Sequence, residues 1–313
     1  MGTGCSNEPL NREKRVYPDA LSLLVDGWPT PLLRLRSECN ERREVWAKLE
    51  FYNPFSHSVK DRTVWSMVVK AVEPCKKAGL VEEASSGNTG IALTCISNIL
   101  GVKSRIYLPK PTPRTTEVIL RMLGAEVVRT KYETIDRTFW DEVRRHAESL
   151  GFVNLNQFEN DANPEVHYKY TGREIVEQLK AIGRKPDVLV AGIGTSGHIA
   201  GIARRLREEY GGLKVVGVQP TPGSKIPGIK RVETEPTWLE EAGVDVLIDV
   251  SWREAVEGVR EVAVREGVLI GLSSGAVYKA YKKIRGEDGV YILVFPDDGF
   301  KYVEHFERYL SQV

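Results

Sequence analysis

Short apolar, β-branched runs alternate with amphipathic stretches along most of this chain, and that alternation restricts its folds more than any other sequence feature. Runs of roughly four to eight such residues read as buried strands, and apolar positions recurring every three to four residues read as one-sided helices. The expected strands are Val45–Phe51, Leu80–Ala84, Ser104–Leu108, Glu126–Arg129, Asp187–Gly192, Lys214–Gln219 and Val290–Phe295. Between them lie helical patterns such as Val59–Val72, Thr89–Leu100, Thr115–Leu123, Thr138–Leu150, His198–Tyr210, Trp252–Glu266 and Ser274–Ile284. Parallel strands need a crossover long enough to hold a helix, so this order predicts parallel sheets covered by helices on both faces. The fold class is α/β.

At 313 residues the chain is long enough for two domains of ordinary size. No repeat or low-complexity linker divides it. The Asn-rich polar stretch Asn154–Pro164 is the expected join between lobes. Thr221–Leu239 carries Pro, Gly and a charge cluster without periodicity, which suggests a functional loop. Lys and Arg number 44 against 43 for Asp and Glu. A balance so close offers no electrostatic footprint for nucleic acid or an anionic membrane.

No apolar run approaches the ~20 residues of a membrane span. The N-terminus lacks a signal-peptide core, so a cytoplasmic setting is expected. Met1-Gly2 with Ser6 fits the loose myristoylation template, for which a polar start to the chain is the simpler reading. Cys5, Cys39, Cys75 and Cys95 are scattered, with no paired spacing and no histidine array. They read as reduced thiols, and neither a disulfide framework nor a metal site is expected.

Four segments carry chemistry. Asp187–Gly192 feeds Gly192-Ile-Gly194-Thr195-Ser196-Gly197 and then a helix. Glycines admit a close backbone approach, and the helix start offers free N–H groups and a favourable dipole to a phosphate. The spacing also fits a dinucleotide loop, but that reading wants an acid at the end of the next strand, where Gln219 stands. Helix–strand packing alone is a third use for such glycines. In Asn53-Pro-Phe-Ser-His-Ser-Val-Lys60-Asp-Arg62, Lys60 falls in a first helical turn. Read alone, it is an ordinary solvated lysine.

Glu83-Ala-Ser85-Ser86-Gly87-Asn88-Thr89-Gly90 clusters hydroxyls and an amide at another helix start, a setting suited to a carboxylate. An ordinary cap needs only one of those groups. Gly271-Leu-Ser273-Ser274-Gly275-Ala276 precedes the last such helix and reads by itself as a cap.

Taken together and in this order, the four segments resemble the cysteine synthase family of tryptophan-synthase-β-like (fold type II) pyridoxal-phosphate enzymes. The similarity runs from Thr30-Pro31-Leu32 to Pro296-Asp297. The resemblance implies a two-lobed fold: a smaller lobe of residues 45–153, and a larger one of 1–44 plus 154–313. It implies that Lys60 holds pyridoxal 5'-phosphate as a Schiff base and later moves the substrate's α-proton. Gly194, Thr195, Ser196 and Gly197, with His198, would hold the cofactor phosphate. Asn88 would donate to the ring's phenolic oxygen and Ser273 would face the pyridine nitrogen. Ser85, Ser86, Asn88, Thr89 and Gln157 would receive the substrate carboxylate.

The implied reaction replaces the β-substituent of an activated serine, O-acetylserine or O-phosphoserine, with sulfide, in a homodimer. Three features depart from the family pattern. Ser85 stands where Thr is common, and keeps the hydroxyl. His198 also replaces a Thr, and a cationic imidazole there would substitute electrostatically for the lost hydroxyl. Lys230 and Arg231 replace small apolar residues and are candidate ligands for an anionic leaving group.

Cystathionine β-synthase and the serine/threonine dehydratases are rivals of the same class, the dehydratases disfavoured by Thr89. A nicotinamide-dependent oxidoreductase built on the Gly192–Gly197 loop and a non-catalytic binding module are rivals of other classes.

Overall fold

The computed structural model describes residues 14–312. The myristoylation template and Cys5 therefore lie outside the described residues. The strands are β1 (Leu32–Arg34), β2 (Arg43–Leu49), β3 (Leu80–Ala84), β4 (Lys103–Leu108), β5 (Glu126–Arg129), β6 (Val153–Asn154), β7 (Val188–Gly192), β8 (Lys214–Pro220), β9 (Val246–Val250) and β10 (Gly289–Phe295). They form a six-stranded sheet ordered β1-β2-β10-β7-β8-β9 and a four-stranded sheet ordered β5-β4-β3-β6. Every pairing is parallel except β1 with β2.

Helices cover both faces of the larger sheet. Tyr291, Leu293 and Phe295 of β10 join one apolar cluster, and Ile292 and Val294 join the opposite one. Burial on two sides explains why β7 reads as an unbroken apolar run rather than an alternating one. The three strands absent from the expected set are each hard to see. β1 and β6 are three and two residues long, and β9 is an edge strand with Leu247 exposed.

Strand β2 differs from expectation in its sheet. The implied lobe boundary at residue 45 assigns it to the smaller lobe, yet it pairs along its whole length with β10, from Arg43 opposite Gly289 to Leu49 opposite Phe295. That boundary cuts through a strand of the larger sheet. Because β2, β10, β7 and β8 run parallel, their C-terminal ends share one edge, where open α/β sheets place their ligands. The segments leading to Lys60, Asp297, Gly194 and Thr221 all leave from that edge.

Candidate active site

Lys60 is delivered by a short bridge. Asn53 ends the turn after β2, His57 takes a left-handed backbone with φ of 49°, and Ser58 forms an isolated antiparallel bridge with Asp297. The helix Lys60–Val69 then starts. Asp61, Arg62 and Thr63 are all fully buried. The Asp61 carboxylate accepts from the N–H groups of Phe55 and Ser56, at 2.7 and 2.9 Å. Arg62 donates to Glu50 and Glu174, and Thr63 meets Asn163 and His167. These contacts fix the first helical turn. Lys60 is partly buried and lines the cleft, and desolvation pulls its amine down to about 8, with Asp297 opposing the shift. A lysine with that value carries a useful fraction of free amine near neutrality.

After β7 the chain turns through Gly194–Ser196 into the helix Gly197–Tyr210. A Cβ on Gly194 would lie 2.5 Å from the carbonyl oxygen of Gly228, and one on Gly197 would lie 2.4 Å from Asn163 Oδ1. Glycine is required at both places by close packing. Asn163 donates to Thr195 Oγ1 at 2.9 Å, and Ser196 Oγ accepts from the Trp238 N–H at 3.0 Å. Both hydroxyl residues are thus tied into the loop wall. Gly194 and Thr195 line the cleft, and the start of the long helix lies directly behind them, with the Gly197 N–H donating to Thr195 Oγ1 at 3.4 Å.

His198 lies in that helix's first turn, and both ring nitrogens are buried without a partner. The expected cationic imidazole is corrected here. Burial, reinforced by the Lys60 charge, pulls His198 down to about 3, so its ring is neutral.

The loop after β3 shows a division of labour. Ser85 is buried, and its Oγ accepts from the N–H groups of Gly87 at 3.1 Å and Gly90 at 2.9 Å, so it shapes the loop. Ser86 is exposed on the cleft wall. Thr89 donates to Gln157 Oε1 at 2.7 Å, and Gln157 in turn donates to the Ala84 carbonyl. Asn88 donates from Nδ2 to Asp297 Oδ2 at 2.8 Å.

Ser273 is buried against Gly228, where an added Cβ would sit 3.5 Å from its hydroxyl. The segment Thr221–Leu239 does form one wall of the cleft, through residues such as Ile226, Gly228 and Lys230. The cleft has a volume of about 890 Å³ and gathers Lys60, Ser85–Thr89, Gln157, Gly194 and Thr195. Ser273 and His198 stand behind its surface.

The two basic candidates part ways. Arg231 donates to Glu233 at 2.8 and 3.0 Å, to Asp249 at 3.1 Å and to the Pro220 carbonyl at 2.7 Å, which occupies its guanidinium. Lys230 reaches across the cleft to the Ile135 carbonyl and lies 4.6 Å from the centre of the Phe158 ring. Burial pulls its amine down to about 8, partly countered by Asp136. At the end of β8, Gln219 spends its amide on Asp249 at 2.7 Å and its oxygen on the Val232 N–H at 2.9 Å. Nothing at that position is free to hold a ribose.

Sequence reasoning passed over Asn163, Asp297 and Tyr302. Asn163 and Asp297 are tied to partners distant in sequence, Thr63 and Thr195 for the one and Asn88 for the other, and Tyr302 acts through Asp297. Asp297 carried one available signal, its place directly after a buried parallel strand.

Among known proteins, residues 23–297 match the family described as pyridoxal-phosphate dependent enzyme. Cysteine synthase B of Escherichia coli K12 is 36% identical over 293 residues, covering 89% of this chain and 95% of that protein. A cysteine synthase of Staphylococcus aureus is 32% identical over 311 residues, covering 94% and 96%. Among solved structures, O-ureido-L-serine synthase superposes with a TM-score of 0.83 at 26% identity, covering 93% of this chain and 96% of its own. A hydrogen sulfide-producing enzyme from Fusobacterium nucleatum superposes with a TM-score of 0.77 at 28% identity, covering 92% and 100%.

The glycine cradle, the orphaned nitrogens behind it and the depressed lysine amine fit a phosphorylated aldehyde, the cofactor that the matched family uses. With this cleft at the strand ends of a fold type II architecture and such similarity along most of its length, the chain belongs to the cysteine synthase family of pyridoxal-phosphate dependent enzymes.

Proposed function

We propose that this protein makes L-cysteine by replacing the β-substituent of an activated serine with sulfide. The observation that carries the reading is Lys60: a partly buried amine, pulled down to about 8, that lines a cleft shared with a phosphate-type glycine loop and the Ser85–Thr89 loop. When bound, pyridoxal phosphate supplies an electron sink for the carbon that bears the substrate's amino group.

The protein's own groups do the rest. Lys60 holds the cofactor covalently and moves the α-proton as a general base. The loop Gly194–Gly197 offers backbone N–H groups to the phosphate, and the neutral His198 ring supplies a donor in place of the family's hydroxyl. Ser273 gives the pyridine nitrogen a neutral partner, which restrains charge build-up and suits elimination. The exposed Ser86, with the linked Thr89 and Gln157, takes the substrate carboxylate. Docking there draws the smaller lobe over the cleft and excludes water. The reading retains a cytoplasmic homodimer. Met122 and Phe300, exposed at 85% and 72%, give apolar surface for such an interface.

Of the two basic residues, Lys230 is the better contact for an anionic leaving group, because Arg231 is already paired. O-phosphoserine is then a good substrate beside O-acetylserine. Lys230→Ala should raise KM for phosphoserine about 10-fold or more, the scale of one charge-assisted hydrogen bond, while that for acetylserine changes little. Arg231→Ala should affect both substrates alike. The check is kcat/KM with each ester and sulfide. Equal losses on both esters in Lys230→Ala would refute the phosphoserine assignment.

A further inference from the structure

Three of the chemistry-bearing segments meet at a residue outside all of them. The backbone of Asp297 bridges Ser58, two residues before Lys60, and its carbonyl accepts from the Gly271 N–H at 2.9 Å and Ser274 Oγ at 3.2 Å. Its carboxylate Oδ2 accepts from Asn88 Nδ2 at 2.8 Å and from the Tyr302 hydroxyl. The other oxygen, Oδ1, is buried without a partner, pressed so close that a Cβ on Gly271 would fall 1.9 Å from it.

We propose that Asp297 is a positioning residue for the reaction: it fixes the face that Asn88 turns to the cleft and stands as the buried counter-charge of the Lys60 amine. The proposal rests on the reading of Lys60 as the cofactor lysine. An ionised carboxylate only accepts, so it compels the Asn88 NH₂ to point toward it. An amide has two N–H donors. With one committed to Asp297, the second is free for a cofactor oxygen, and the alternative flip is closed.

The electrostatics agree with the geometry. Asp297 is the charge that opposes the effect of burial on Lys60. Around it lie Lys301, with Nζ 4.0 Å from Oδ2, the phenol of Tyr302, and Asp298, which faces His57 at 3.5 Å. Burial raises the Asp297 carboxyl, while Lys301, Tyr302 and Asn88 pull it back toward the charged form.

The test follows recapture of pyridoxal phosphate by full-length apoprotein, read as growth of the visible band across pH. Only the free amine reacts, so the rate should rise through a midpoint near 8 in the parent protein. In Asp297→Asn the midpoint should fall by about one pH unit, the lower end of what an adjacent opposite charge supplies. Recapture at pH 7 then becomes faster, while kcat falls at least about 10-fold in Asp297→Ala, which removes the acceptor of Asn88, and less in Asp297→Asn, whose amide oxygen still accepts from it. A purely structural lesion would slow both.

Asp297→Ala, which relieves the crowding at Gly271, should give the same shift. Asp298→Asn should leave the midpoint in place. An unmoved midpoint in the Asp297 variants, an equal shift in Asp298→Asn, or failure of both Asp297 variants to fold overturns the proposal. Borohydride trapping with peptide mapping separates the two readings. An adduct on Lys60 with an unmoved midpoint removes only the role of Asp297. An adduct elsewhere removes both.

Discussion

Two clusters of buried charge sit two residues apart on one helix and follow opposite rules. Around Arg62 every charge is matched. Its guanidinium meets Glu50 at 2.7 Å and Glu174 at 2.6 and 2.8 Å, Lys48 closes on Glu174 at 2.7 Å, and Trp28 lies 4.4 Å from the guanidinium carbon. Around Lys60 the charges are left short: the amine is depressed, His198 has two orphaned nitrogens, and Asp297 and Glu83 keep buried oxygens without partners. Unpaired polar atoms in a dry setting are costly, and they persist where a ligand completes them. The matched cluster holds the helix in place so that the unmatched one can remain poised.

The sharpest way to break this contrast is Lys60→Ala. Cysteine formation should fall by about 10³-fold or more, while thermal melting moves only slightly, because the change removes a group that burial already disfavours. A melt followed by circular dichroism, beside a sulfide-dependent assay, reads both. A large loss of folding would show that Lys60 belongs to the scaffold.

Arg62→Ala should do the reverse. Removing Arg62 strands Glu50 without a cation and leaves Glu174 with Lys48 alone, which costs about 3–5 kcal/mol. Urea unfolding should show that loss, with kcat of the remaining folded protein changed by less than about tenfold. A mild effect on stability with a severe one on kcat would erase the distinction between the clusters.

What the sequence made legible follows the same division. The glycine turn and the Ser85–Gly90 loop are local: strand, turn and helix start lie within one window, so their chemistry can be read from adjacent residues. The helix Trp252–Glu266 is legible to the residue because Ser251 and Glu254 form a reciprocal capping box. The Arg62 cluster is not local, since its bond to Glu174 spans 112 positions. The sheet to which β2 belongs is likewise set by β10, near the far end of the chain. The role of Asp297 emerges only where three loops converge. Likewise, Arg231 and Lys230 are both basic in the sequence, and their partners distinguish them: Glu233 and Asp249 for Arg231, the Ile135 carbonyl and the Phe158 ring for Lys230.

The last effect, read as a slope against pH rather than a loss at one pH, sharpens the contrast on the unmatched side. Glu83 is buried at the end of β3 beneath the carboxylate loop, and burial pushes it up to about 8. The N–H groups of Gln157, Asn156 and Ala84 favour its charged form, yet none meets hydrogen-bond geometry with either oxygen. The folded protein therefore keeps this proton up to about pH 8, while the unfolded chain releases it near 4.5.

Stability from the group is complete below pH 4.5 and is lost as pH rises toward 8, with a slope of at most about 1.4 kcal/mol per unit. Glu83→Gln keeps the shape and cannot ionise, so its urea midpoint should decline less across pH 5 to 8. The two proteins should be nearly equal in stability at the acid end, and the variant should be the more stable at the alkaline end. Other titrating groups are common to both proteins and cancel in the difference. Parallel curves would mean that Glu83 is charged and solvated through an opening of the loop, which would place it with the matched charges.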